Sequence, residues 1–215
     1  MHEIWEFLKT LVNPESIIMY GGLALLLFVI FAETGLMAGF FLPGDSLVFI
    51  SGLFCGTKPE LLGVEIYTLI LALCIAAIIG NVSGYYFGKK IGPALFTKDD
   101  NIIFKKRYIE ITRTFYDKHG GKSLVLGRFF PIIRTFAPIL AGVIQMDFKI
   151  FMTYNIVGAL LWIPTLSLLG FFLGEIIWVQ NNLKWIVIFL IIVTLIPIIG
   201  TIKKEKVNNK RIPLK

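Results

Sequence analysis

Arg128 and Arg134 lie in a stretch, Leu124 to Gly142, that otherwise reads as buried membrane sequence. A charge at bilayer depth costs roughly 2.5–3.5 kcal/mol on insertion scales, and more if it faces lipid. Either the two arginines reach an interface or they hold an anion. A guanidinium stays charged and grips phosphate oxygens with a bidentate fork. The two arginines are six residues apart around Pro131, so they could converge on one phosphate if the chain turns there. A second apolar stretch, Gly39-Phe-Phe-Leu-Pro-Gly-Asp45, carries an acid, and Glu33 lies just upstream. With the site empty, Glu33 and Asp45 would neutralise Arg128 and Arg134. Protonating either acid would free an arginine for phosphate. A plain salt-bridge lock between the two segments is the structural alternative. Buried ion pairs are often poorer stabilisers than apolar replacements, so keeping four such charges favours function. Asn81 and Tyr85 are secondary candidates, able to hydrogen-bond the site or simply to tie helices together.

Other chemistries find less support. No nucleophile has a nearby base, and the sequence holds no phosphate-binding Gly-x-x-x-x-Gly-Lys-Ser/Thr loop. His2 and His119 lack ligand spacing. Two cysteines, Cys55 and Cys74, make neither a disulfide framework nor a metal site. The sequence therefore implies no metal or cofactor and argues against an enzyme.

The elements that must position these charges belong in a membrane. Hydrophobic residues make up 56% of the chain and charged residues only 16%, where soluble domains run about 45–50% and 25%. The net charge of +7 is uneven. Residues 89–122 hold nine Lys/Arg against four acids, and 203–215 hold six against one. Both clusters flank apolar runs, so the positive-inside rule explains them better than nucleic-acid binding does. Charge-free runs at 16–32, 66–88, 150–174 and 185–202 contain 17, 23, 25 and 18 residues, and a crossing needs about 17–25.

Residues 34–57 and 123–146 are apolar but interrupted. Pro43, Gly44, Pro131 and Pro138 read as helix-breaking or turn-tolerating residues, which leaves halves too short to cross. Such segments suit re-entrant hairpins, with a kinked full-length helix as the alternative. The expected fold is thus an all-α integral membrane protein. It has about four full transmembrane helices, two opposed re-entrant hairpins and amphipathic surface helices. Residues 1–15 form an N-terminal amphipathic segment, 16–202 the membrane domain with basic loop 89–122, and 203–215 a basic tail. Both termini and both basic clusters fall on the cytoplasmic side. Gly39 and Pro43 are four apart, as are Gly127 and Pro131. This echo fits an inverted repeat with its site near the midplane.

The residues that carry a family likeness come in a fixed order. Glu33 precedes Gly39-Phe-Phe-Leu-Pro-Gly-Asp45, then Gly80-Asn81-x-x-Gly84-Tyr85-x-x-Gly88-Lys89. Gly127-Arg128-Phe-Phe-Pro131-x-x-Arg134 with Pro138 and Ala141-Gly142 follows, and Asn155-x-x-Gly158-Ala-x-x-Trp162 closes the set. Over roughly residues 17–175 the chain resembles the DedA family of bacterial membrane proteins, which share the VTT domain with eukaryotic lipid scramblases. The resemblance implies two re-entrant hairpins meeting in the membrane. It implies return of undecaprenyl phosphate, or a related phosphate-bearing polyprenyl lipid, across the bacterial cytoplasmic membrane, linked to the proton-motive force. It maps essential acids onto Glu33 and Asp45 and essential arginines onto Arg128 and Arg134. Many family members carry an acid where this chain has Asn81, which weakens any role here for a third carboxylate.

The expected partners are a phosphate lipid, membrane lipids and protons, with no nucleic acid. Two other functions use the same residues. A proton-coupled antiporter for a small cation or drug would need the acids and make the arginines structural. An energy-independent phospholipid scramblase would show little lipid selectivity and no pH dependence.

Overall fold

The computed structural model describes residues 14–36, 44–97, 124–125, 131–182, 185–186 and 189. Several expectations lie outside those residues: the surface segment before residue 14, Pro43, Arg128, most of loop 89–122, and nearly all of the run at 185–202 with the tail. Every regular element described is helical. The order is α1 (Pro14–Gly35), α2 (Gly44–Thr57), a 3-10 turn (Pro59–Leu61), α3 (Ile66–Thr97), α4 (Pro131–Val143), α5 (Phe148–Gly174) and α6 (Ile177–Asn181).

Two helices are long and apolar enough to cross a membrane, Ile66–Gly92 within α3 and Phe148–Gly174, each of 27 residues. At 1.5 Å per residue each is about 40 Å long, against a hydrocarbon core of about 30 Å. Many of their outward residues are apolar. On α3, Tyr67, Leu71, Ile75 and Ile79 recur every fourth position and are exposed. On α5, Leu161, Leu169 and Phe172 are exposed as well. Helices that are apolar on most faces belong inside a large core or in lipid. The described residues of α2 and α4 number 14 and 13, where a crossing needs about 17–25.

Local chemistry sets the helix ends. Asp147 caps α5, its carboxylate accepting from the backbone N–H of Lys149 and Ile150. α1 is broken within its length. Gly22 takes φ 53° and ψ −148°, a conformation only glycine adopts readily. The uninterrupted run at 16–32 is therefore two helical pieces. One proline expectation needs correction. Pro138 does not break its helix but lies inside α4; what it removes is the N–H that the carbonyl of Arg134 would otherwise accept from. Pro131 and Gly44 are helical and are the first described residues of α4 and α2.

Packing relies on missing side chains. Gly80, Gly84, Gly88 and Gly92 repeat every fourth residue along α3. A Cβ on Gly80 would overlap Thr34 of α1, and one on Gly88 the carbonyl of Ile139 in α4. From the other side, a Cβ on Gly142 would overlap the carbonyl of Tyr85. α2 meets α5 in the same way, through Gly52 against Ser167 and Gly170 against Phe49. Where lipid surrounds the helices, close backbone approach of this kind replaces the hydrophobic effect as the packing force. The main core, including Leu26, Ile30, Leu47, Leu53, Leu73 and Ile163, joins α1, α2, α3 and α5. A smaller one around Tyr85, Ala137, Ala141 and Phe151 joins α3, α4 and α5. Cys55 and Cys74 are free thiols.

Gly88→Ala is expected to lower stability by about 1–3 kcal/mol through overpacking. Thermal unfolding in detergent checks this, with Ser83→Ala, on a less crowded face, as the small-effect control.

Candidate functional site

Three of the four charges read from the sequence meet at one point. Arg134, in the first turn of α4, and Glu33, in the last turn of α1, are each 3% exposed. Asp45 is the second residue of α2 and is partly buried. Arg134 Nη2 donates to Glu33 Oε1. Arg134 Nη1 donates to Asp45 Oδ1 at 2.5 Å. Both acids thus sit on one arginine, where the sequence had spread them over two. Arg128 lies outside the described residues.

α1, α2 and α4 bring these residues together. Glu33 reaches Arg134 across Gly44, on which a Cβ would overlap the Glu33 carboxylate. Its carboxylate therefore rests against the N-terminus of α2, where backbone N–H groups favour negative charge.

Trp162 completes the cluster. It is 3% exposed on α5. Its indole Nε1 donates to Asp45 Oδ1 at 2.9 Å, and its ring lies under the guanidinium, with Arg134 Cζ 4.4 Å from the ring centroid. Cation–π contacts of this kind gain strength when desolvated. The sequence reading placed Trp162 in the family motif without giving it a contact at the site. A signal was present: Asn155 and Trp162 are seven residues apart in one motif, two turns along a single helix face.

Asn81 and Tyr85 separate in role. Asn81 Nδ2 donates to Asn155 Oδ1 at 2.8 Å, and Asn155 Nδ2 donates to the carbonyl of Ile78 at 3.2 Å. This amide pair ties α3 to α5. With Arg134, Ala137, Pro138 and Phe151 it also lines a cavity of about 10 Å³, roughly the room one water needs. Tyr85 is not at the cluster. Its hydroxyl donates to the carbonyl of Met146 at 2.5 Å, and its ring stacks on Phe151.

Two buried polar atoms of the cluster have no hydrogen-bond partner among the described residues, Glu33 Oε2 and Arg134 Nε. Buried polar atoms are rarely left so. The arrangement is a buried cation between two carboxylates, with two polar atoms that have no partner among the described residues. No group of three or more His, Cys, Asp or Glu that could hold a metal ion occurs among the described residues.

Residues 42–172 match the model of the VTT domain. The chain is 40% identical to the protein named DedA of Escherichia coli over 188 residues, 87% of this chain and 83% of that protein. It is 37% identical to an uncharacterized membrane protein of Mycobacterium leprae over 186 residues, 86% and 82% of the two chains. It is 33% identical to the inner membrane protein YqjA of Escherichia coli over 178 residues, 81% and 77%. No solved structure matches the chain.

Arg134→Leu is expected to cost about 3–5 kcal/mol, because it strands two carboxylates. Adding Glu33→Gln and Asp45→Asn to it should restore a large part of that loss. Denaturant unfolding in detergent micelles of the single and triple variants is the check.

Proposed function

The chain belongs to the DedA family of VTT-domain membrane proteins, and from that premise we propose that it carries a phosphate-bearing polyprenyl lipid, such as undecaprenyl phosphate, across the cytoplasmic membrane. The observation that carries this reading is the Arg134 guanidinium, 3% exposed and held by two carboxylates rather than by a fixed apolar wall. A lipid tail can stay in the bilayer while its headgroup passes a low-dielectric zone. That headgroup needs a cation already desolvated and able to bind two oxygens. In this reading Arg128 is a second phosphate contact, as the family resemblance implies. Protons take part by neutralising a carboxylate when the anion arrives. The protein acts as a carrier and not as an enzyme.

The membrane arrangement in this proposal has four crossings and two opposed re-entrant segments. The shortness of α2 and α4 supports it. So does the site's position, where the first turns of both short helices meet at Arg134 and Asp45. Broken helices whose ends face a ligand at mid-depth are a common transporter plan. The basic stretches and both termini then lie in the cytoplasm.

Translocation of a fluorescent polyprenyl phosphate in proteoliposomes tests the reading. The wild type is expected to move the lipid, faster under a pH gradient, and to ignore the corresponding uncharged polyprenol. Arg134→Ala should slow movement about 10–100-fold, the loss of charged hydrogen bonds worth roughly 1.5–3 kcal/mol. A rate unchanged in Arg134→Ala sinks the proposal and favours cation exchange on the acids. Equal movement of ordinary phospholipids without pH dependence makes the protein a scramblase instead.

A further inference from the structure

The two carboxylates on Arg134 are not held alike. Asp45 Oδ1 accepts from Arg134 Nη1 and from Trp162 Nε1. Glu33 has one donor, Arg134 Nη2 on Oε1, and its Oε2 has no partner among the described residues. Arg134 Nε has none either. Nε and Nη2 form the edge of a guanidinium on which two N–H bonds run parallel, the fork that takes two oxygens of one anion. Glu33 occupies half of that fork.

Charge counting gives the same asymmetry. The charged groups facing the cluster, among the described residues, are Glu33 on α1, Asp45 on α2 and Arg134 on α4. α3 and α5 bring only the uncharged Asn81, Asn155 and Trp162 to it. Among the described residues two carboxylates share one guanidinium, and a buried carboxylate that loses its share of a cation is strongly disfavoured in its charged form. Asp45 is partly exposed and doubly held; Glu33 is buried and half-bonded, with a vacant oxygen.

We propose a division of labour: Glu33 is the displaceable carboxylate that takes the proton, while Asp45, fixed by the Trp162 indole, stays ionised on Nη1. Trp162 is a positioning residue for Asp45. The vacated Nε–Nη2 edge of Arg134 is then the subsite for two phosphate oxygens. With the proton on Glu33 and an anion on that edge, Asp45 still holds Nη1 and keeps the guanidinium in place. This rests on the phosphate-carrier reading only for the identity of the anion; the protonation assignment stands apart from it.

Infrared difference spectra of the full-length protein in nanodiscs, between alkaline and acidic buffer, read the assignment directly. A buried protonated carboxyl gives a carbonyl stretch above that of water-exposed carboxyls. The expected band is absent in Glu33→Gln, present in Asp45→Asn, and shifted when the wild type is grown with carbon-13 glutamate. The labelled wild type keeps the test decisive even if an isosteric variant does not fold. In Trp162→Phe a second buried band, insensitive to labelled glutamate, should appear as Asp45 loses its indole donor. A band that survives Glu33→Gln, or that labelled glutamate leaves in place, overturns the assignment to Glu33. A Trp162→Phe spectrum identical to wild type overturns the role of the indole. Adding a short-chain polyprenyl phosphate to the same samples should increase the Glu33 band. If it does not, while the band itself is assigned as expected, the carrier reading fails and the protonation assignment stands.

Discussion

A guanidinium withdrawn from water must find its counter-charge inside the protein, and Arg134 is withdrawn almost completely. That one requirement brings the end of α1, the start of α2, the start of α4 and the middle of α5 to a single point. None of these elements holds the point alone. The carboxylates supply charge, the indole supplies a face and an N–H, and α2 and α4 supply the backbone that carries Asp45 and Arg134 there. Isolated charges at this depth would be costly; gathered, they offset one another.

The close backbone approaches fall into two sets. In one, α1 and α4 press on the glycine row of α3. In the other, α2 and α5 meet at Gly52 and Gly170. Within each set the contact is backbone on backbone, tight and indifferent to pH. The main apolar core spans both sets, and polar contacts join them as well: Arg134 with Asp45, Arg134 over Trp162, and Asn81 with Asn155. Glu33 and Arg134 belong to the first set, Asp45 and Trp162 to the second. A proton on Glu33 therefore loosens a tie inside the first set, while the Asp45 and Trp162 contacts with Arg134 still link the two sets. Packed cores respond to such changes by shifting as units rather than by bending.

Much of the site was legible because charge in apolar sequence is conspicuous. Glu33, Asp45 and Arg134 stand out on cost alone, and the structure brings them together. Their pairing was not legible, since sequence spacing does not say which acid reaches which base. Trp162 and Asn155 were hidden for the opposite reason: tryptophan and asparagine within an apolar helix are usually explained by packing and helix ties. The long helices α3 and α5 follow from run length. The break at Gly22 does not, because hydropathy is blind to φ. Pro138 misled because a proline removes one hydrogen bond without forcing a short helix to end, provided the surrounding helices hold it. The helix-to-helix glycine contacts could be guessed from the four-residue repeat on α3, but their partners could not.

Gly44 shows how a silent residue can govern a loud one. It bears no charge and makes no hydrogen bond to the cluster, and its backbone is ordinary helix. Its contribution is an absent methyl group, in whose place the Glu33 carboxylate lies. Alanine there, the mildest of replacements on any substitution scale, would evict the carboxylate from Arg134. Sequence drift at this position is thus electrostatic in effect though neutral in composition. A variant differing by one carbon atom would carry an altered charge pattern that no count of its charged residues reveals.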